Sequence, residues 1–285
     1  MAATLALAAR RAAAASALPR RLPAGPQPRA APLARASPSG GAPEGLPAAV
    51  AALRAEQREQ LEAFVATLVE WGAHTNLTRE RDREGILERH VADSLALLPA
   101  LDAAVADAAV AEGGRPRLVD VGSGPGLPGL VLAIARPQWD VTCVDARRKR
   151  VTFMREACAR AGVGNATPQW ARAEEAGAAG SAQREAFDVA TCRALADTAL
   201  LAELCLPLVR VGGVLVAAKG PEPHAEVAGA AAALEKLGGD VGTMRVEQVD
   251  SRGPAGMRTV LVVGKGRATP AGLPRTAAAM KKKTL

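Results

Sequence analysis

A strand that runs directly into a glycine-rich turn constrains this chain more than any other feature. Arg117-Leu-Val-Asp-Val121 reads as a short buried strand, and Gly122-Ser-Gly124-Pro-Gly126-Leu-Pro-Gly129 follows it and opens a helix. Asp120 stands near the strand tip, and a second acid, Asp145, closes the next predicted strand. In such a crevice glycines let the backbone approach a ligand, helix-end N–H groups stay free to donate, and the second acid can accept from ribose hydroxyls. The candidate ligand contacts are therefore Asp120, Gly122, Gly124, Gly126 and Asp145. The same residues also satisfy Gly124-x-Gly126-x-x-Gly129 with an acid about 20 residues on, so spacing alone leaves a nicotinamide-dependent oxidoreductase open. Three features favour S-adenosylmethionine instead: Asp120 would repel a pyrophosphate, Pro125 and Pro128 interrupt the helix start that would bind one, and the glycine repeat begins two residues after the acid. A ligand with a sulfonium and an ammonium is attracted by a carboxylate there.

The rest of the chain alternates in a way that fits this crevice. Strands are expected at 140–145, 166–170, 187–191 and 211–218, with helices near 147–161, 197–209 and 222–237. That βαβ alternation predicts an α/β fold, a doubly wound, mostly parallel sheet covered on both faces. Two last runs, 244–249 and 259–263, are separated by Ser251-Arg-Gly-Pro-Ala-Gly256 and predict an antiparallel hairpin at the sheet edge. Upstream, Val50, Leu53, Leu61, Phe64, Leu68 and Trp71 fall on one helix face and predict an amphipathic helix of about seven turns. A second helix is expected from Arg83 to Leu98, stopping at Pro99, and the two together make a small N-terminal helical lobe.

Composition narrows the reading further. Aromatics are 2% of the chain and Tyr is absent, so the core must be built from Ala, Val and Leu, which aliphatic burial permits. The formal charge of +7 is uneven: residues 1–45 hold six Arg and one acid, and residues 265–285 hold six Lys or Arg and no acid. The body is therefore mildly acidic, and a polyanion would be gripped by local patches and the tail. The Ala/Arg/Pro/Ser-rich first 45 residues have the composition of an organelle transit peptide, leaning towards the chloroplast stroma, with the mitochondrion as the alternative. Cys143, Cys158, Cys192 and Cys205 show no C-x-x-C pairing, so they read as reduced core residues, and neither a metal site nor a disulfide framework is indicated.

The acceptor atom is constrained by absences. No Asn-Pro-Pro-Tyr or Asp-Pro-Pro-Tyr segment is present to hold an exocyclic amine, and no Pro-Cys dipeptide to attack a pyrimidine carbon. Both point to an acceptor that owns a lone pair, such as a ring nitrogen, for which no catalytic general base is required.

Further motifs run from about residue 50 to the C-terminus: Asn76-Leu-Thr78, Arg89-His90-Val-Ala-Asp93-Ser94-Leu95, Asp120 to Gly129, Val144-Asp145 with Lys149-Arg150-Val151, Arg172-Ala-Glu174, Cys192-Arg193-Ala194, Glu203-Leu-Cys-Leu-Pro-Leu208, Lys219-Gly220 and Thr269 to Arg275. In these segments, taken in this order, the chain resembles the bacterial 16S ribosomal RNA guanine-N7 methyltransferases, the glucose-inhibited division protein B family. The resemblance implies a Rossmann-like class I methyltransferase sheet, S-adenosylmethionine as cofactor, and methyl transfer to guanine N7 in the 530 loop of small-subunit ribosomal RNA, free or in an assembling 30S-type subunit. It also implies cofactor contacts at Gly122, Leu127, Ala173, Glu174 and Arg193. A cationic Arg193 near a sulfonium is costly unless paired, so it is expected to face a carboxylate or RNA.

The expected organisation is a transit segment at 1–45, a helical lobe at 46–115, the methyltransferase domain at 116–265 and a basic tail at 266–285. A monomer without membrane attachment is expected, and a non-catalytic ribosome-assembly factor that kept the fold stays open beside the enzyme. RNA-binding candidates are Arg89, His90, Arg147, Lys149, Arg150 and Lys219. Against that role, Arg89 with Asp93, and His90 with Ser94, also have the i, i+4 spacing of ordinary helix-surface pairs. Arg147 to Arg150 can likewise be solvated helix charge, and Lys281 to Lys283 either engage RNA or stay disordered.

Overall fold

A computed structural model describes residues 47–110, 113–250 and 257–285; the expected transit segment lies outside the described residues. Seven strands form one sheet: β1 (Arg117–Val121), β2 (Asp140–Asp145), β3 (Ala166–Trp170), β4 (Phe187–Arg193), β5 (Val209–Lys219), β6 (Gly239–Asp250) and β7 (Met257–Lys265). Their order is β3-β2-β1-β4-β5-β7-β6. The first five pair in parallel, while β7 pairs antiparallel to both β5 and β6. The expected doubly wound sheet with an antiparallel edge is thus present, and the order reverses between β1 and β4, where such sheets bind ligands outside their carboxyl ends.

Both faces are covered, and the strands alternate between two aliphatic cores. Leu118, Val141, Val189, Val216 and Val262 face one side; Val119, Val144, Ala190, Leu215 and Leu261 face the other. The first core is shared with the N-terminal helices. The expected continuous helix is broken there into α1 (Ala48–Ala51) and α2 (Ala55–Gly72). Arg54 is extended (φ −65°, ψ 158°) and its backbone N–H donates to Gln57 Oε1 at 3.0 Å, so the Gln57 side chain reaches back to cap the restarted helix. Buried Gln57 also donates to the carbonyls of Ile134 and Ala135 at 2.9 and 3.0 Å, the end of α6 (Gly129–Ala135), which fixes α2 against the sheet layer.

The second expected helix departs further. It comprises α3 (Arg83–Ile86), a π-helical turn at Leu87–Val91 and α4 (Ala92–Leu95). Pro99 does not end a helix but lies in the first turn of α5 (Leu98–Asp107), where a missing N–H costs nothing. Beyond β2 come α7 (Arg148–Ala161), α8 (Ala173–Ala176) and α9 (Thr198–Cys205). The expected helix at 222–237 is divided into α10 (His224–Gly229) and α11 (Ala231–Lys236). All four cysteines are free, three of them buried and Cys158 half-buried.

The tail is docked for much of its length. Arg275 donates through its backbone N and Nε to Glu203 Oε1, both at 2.8 Å, and through Nη2 to Oε2 at 2.6 Å. Lys265, fully buried, donates to the carbonyl of Leu206 and to Thr269 Oγ1, both at 2.6 Å. Lys281 and Lys282 end α12 (Ala277–Lys282), and with Lys283 they are exposed.

Candidate functional site

The glycine turn after β1 is held by the two acids the sequence singles out. Gly122, Gly124 and Gly126 have φ of +73°, +60° and +90°, a region that L side chains rarely enter. A Cβ on Gly122 would stand 2.6 Å from Leu195 Cδ1, and one on Gly126 2.5 Å from Leu130. At Gly124 the same position is open space, so there the backbone itself is what a ligand would meet. Leu127 is buried beneath the turn.

Asp120 is fully buried. Its Oδ2 accepts from Ser123 Oγ at 2.5 Å and from the Gly129 N–H at 2.8 Å, while Oδ1 has no hydrogen-bond partner. Burial pushes its pKa up to about 6, against the opposing hydrogen bonds of Ser123 and Gly129. An unpartnered buried carboxylate oxygen has acceptor capacity to spare, which fits a cationic ligand.

Asp145 is engaged within the fold. Oδ2 accepts from the Gly124 N–H at 2.9 Å and from Arg150 at 3.2 Å, and Oδ1 from the Arg147 N–H at 2.8 Å. The residue read from the sequence as a ribose acceptor therefore also ties the glycine turn to the start of α7, and a ribose would compete with Arg150. Arg147 and Lys149 are exposed on that helix. Ala173 and Glu174 begin α8 just after β3, with Glu174 paired to Arg172.

A cavity of about 460 Å³ opens beside this turn, over the ends of β4 and β5, within the size range of small-molecule sites. It gathers Arg89, His90, Arg193 and Lys219 from the sequence candidates, and adds Asp93 and Arg258. The link to the glycine turn is short: Arg193 ends β4, Ala194 adopts φ +51°, and Leu195 fills the space under Gly122. A left-handed alanine between the two halves of a site is strain that a tight turn there imposes.

The helix-surface pair of Arg89 with Asp93, which the spacing leaves open beside an RNA contact, is not formed. A π turn spans Leu87–Val91 at this point of the chain. Arg89 instead reaches Glu80 at 3.5 Å, and Asp93 Oδ2 faces Arg258 at 3.3 Å and Arg193 at 3.9 Å. Ser94 donates to the His90 carbonyl at 2.6 Å, a local backbone bond in place of a side-chain pair. Arg193 thus has the carboxylate neighbour its charge requires. Burial lowers its pKa from the usual arginine range, against the pull of Asp93 and Asp120. Burial, then the Arg193 charge, likewise lowers the pKa of His90, whose Nε2 has no partner, so a neutral imidazole lines the cavity. Lys219 is committed to Glu226 at 2.6 Å, a carboxylate that also accepts from Thr198.

Sequence reasoning missed Arg258. It stands at the start of β7, and only the antiparallel pairing of β7 with β5 brings it to the cavity.

Comparison with known proteins agrees with this geometry. The family model for rRNA small subunit methyltransferase G matches residues 57–252. A protein named ribosomal RNA small subunit methyltransferase G from Moorella thermoacetica is 38% identical over 220 residues, covering 77% of this chain and 87% of its own. One of the same name from Lactobacillus delbrueckii subsp. bulgaricus is 38% identical over 229 residues, covering 80% and 92%. A third, from Roseiflexus, is 40% identical over 220 residues, covering 77% and 88%.

Proposed function

The chain belongs to the rRNA small subunit methyltransferase G family, and from that premise we propose that it methylates N7 of a guanosine in the 530 loop of small-subunit ribosomal RNA. It is an S-adenosylmethionine-dependent methyltransferase. The observation that carries the reading is the adjacency of two features: a glycine turn with an unpartnered buried carboxylate oxygen, and a cavity lined by Arg89, Arg193, Lys219 and Arg258 that shares the 193–195 segment with it.

S-adenosylmethionine, when bound, supplies a methyl group activated on a sulfonium. The residues that would hold it are Gly122, Gly124, Gly126 and Leu127 of the turn, Asp120 and Asp145 at the strand tips, Ala173 and Glu174 after β3, and Arg193. Guanine N7 carries its own lone pair, so the residues of this chain need only position the base, exclude water and place charge. The cations of the cavity suit a strand of phosphates. Asp93 stands where it can offset the positive charge a guanine acquires at N7, and the same carboxylate oxygen faces both Arg193 and Arg258. Arg147, Lys149 and Arg150 extend the basic surface along α7.

The enzyme acts as a monomer in an organelle, the chloroplast stroma by the composition of its first 45 residues; those residues fused to a fluorescent protein test the address. Among the described residues no helix is long and apolar enough to cross a membrane. The test of function is transfer of labelled methyl from S-adenosylmethionine to free small-subunit RNA and to assembling subunits. Labelling of either supports the reading; binding of both without label favours the assembly-factor alternative.

A further inference from the structure

The chain has three Trp and three Phe, and it hides nearly all of them. Phe64, Phe153, Phe187 and Trp139 are buried, and Trp71 packs edge-on against Phe153 with ring centroids 5.5 Å apart. Trp170 is the exception, exposed to 56%. It is the last residue of β3 and pairs in register with Asp145, so it stands at the ligand-facing end of the sheet. Its indole N–H donates to the Ala146 carbonyl at 3.1 Å, which fixes the ring. The Arg148 guanidinium lies 5.4 Å from its centroid.

The cations around this ring lack carboxylate partners. Arg147, Arg148 and Lys149 are all exposed, and among the described residues none of them is paired with a carboxylate. Two nearby acids are taken, Asp145 by Arg150 and Glu174 by Arg172. A surface cation–π contact alone contributes only about 0.5–1 kcal/mol, too little to account for leaving a Trp ring in water. An aromatic face set among unpaired cations has the chemistry of a single-stranded nucleic-acid contact, in which bases stack and phosphates are neutralised.

Position fits the same partner. Between Trp170 on β3 and the cavity over β4 and β5 lie three to four strand spacings, about 15–19 Å at ~4.8 Å each. A few unpaired nucleotides cover that distance, passing the glycine turn on the way.

We propose that Trp170, with Arg148, is a stacking platform for an unpaired base of the substrate RNA that flanks the guanosine held in the cavity. The inference rests on the ribosomal RNA reading above and adds a second contact to it. The test uses the full chain as wild type, Trp170→Ala and Trp170→Phe, with a short unstructured RNA of mixed sequence for affinity and small-subunit RNA for kinetics. Loss of one stacked base weakens binding about 5- to 150-fold. Trp170→Ala is expected to show that loss and a raised KM for RNA with kcat held, while Trp170→Phe stays close to wild type. Equal affinity in all three proteins overturns the proposal. So does an indole fluorescence change on adding S-adenosylmethionine without RNA that disappears in Trp170→Phe, because it assigns the ring to the cofactor. A chain that binds RNA through Trp170 yet transfers no methyl supports the platform while refuting the proposed function.

Discussion

Replacing Arg275 with Ala isolates the contact that anchors the C-terminal tail. Glu203 is 0% exposed, and the Arg275 side chain gives it two charge-assisted hydrogen bonds at 2.8 and 2.6 Å. Removing one partner of a buried ion pair costs about 3–5 kcal/mol, because the other charge is left without compensation. Two circumstances place this site near the lower end. The backbone N–H of residue 275 still donates to Glu203, and Arg275 is itself 22% exposed, so water can follow the lost guanidinium. We expect a loss of about 3 kcal/mol at neutral pH, a fall in Tm of about 6–12 °C for a chain of this size. The sign of the pH dependence gives an independent check. In the wild type, burial raises the Glu203 pKa, but the Arg275 hydrogen bonds outweigh it and the net shift is downward. The pair therefore stabilises above the ordinary carboxylate value of 4.5, and that contribution is lost as pH falls through the depressed pKa. In the variant only the backbone N–H of residue 275 and the Lys236 charge still oppose burial, so the pKa moves up relative to the wild type and acidification relieves part of the cost. Urea unfolding at neutral and at mildly acidic pH should show the difference between the proteins shrinking as pH falls. The double replacement Glu203→Leu with Arg275→Met should recover most of the loss. A difference under about 1 kcal/mol at neutral pH, or one that does not change on acidification, would refute the reasoning.

Other outcomes follow from the site and the core. Gly122→Val forces a β-branched residue to φ +73° with Cβ 2.6 Å from Leu195; about 1–2 kcal/mol of strain plus that clash should abolish S-adenosylmethionine binding, and unchanged affinity in calorimetry would contradict the placement of the site. Asp93→Asn removes the charge facing Arg193 and Arg258 and should lower kcat/KM for RNA about 10- to 100-fold, the range for hydrogen bonds to charged groups; a wild-type value refutes its role. Burial lowers the Lys265 pKa from 10.5 to about 8 despite Glu185 beside it. Over that window the unfolded chain holds the proton more tightly, so this group makes stability rise as pH increases. Lys265→Met should flatten that rise in unfolding experiments; an unchanged slope means that the lysine is not the cause.

What the sequence reveals and what it hides divides along physical lines. The turn after β1 is legible because only glycine tolerates three closely spaced positive φ values, and a strand of Leu, Val and Asp leads into it. The parallel sheet is legible from alternation of element types. The break at Arg54 is not, because Val50, Leu53 and Leu61 keep the helical period across it and only the Gln57 contact with α6 selects the cap. Nor is the π turn, since one extra residue in a helix leaves the hydrophobic pattern readable. Arg258 and the Glu203–Arg275 pair depend on chain segments far apart in sequence, which periodicity does not report. Asp145 shows the intermediate case: its position at the strand tip is visible, but its three intramolecular donors emerge only once the turn and α7 are folded against it.

The most direct test of the central claim is to let the chain act on small-subunit ribosomal RNA with S-adenosylmethionine and then treat the RNA with borohydride and aniline, which cleave at 7-methylguanosine. The account predicts one new cut, within the 530 loop, that depends on the cofactor and vanishes with Gly122→Val. Incorporated methyl without a cut would place the methyl on another atom and contradict the account.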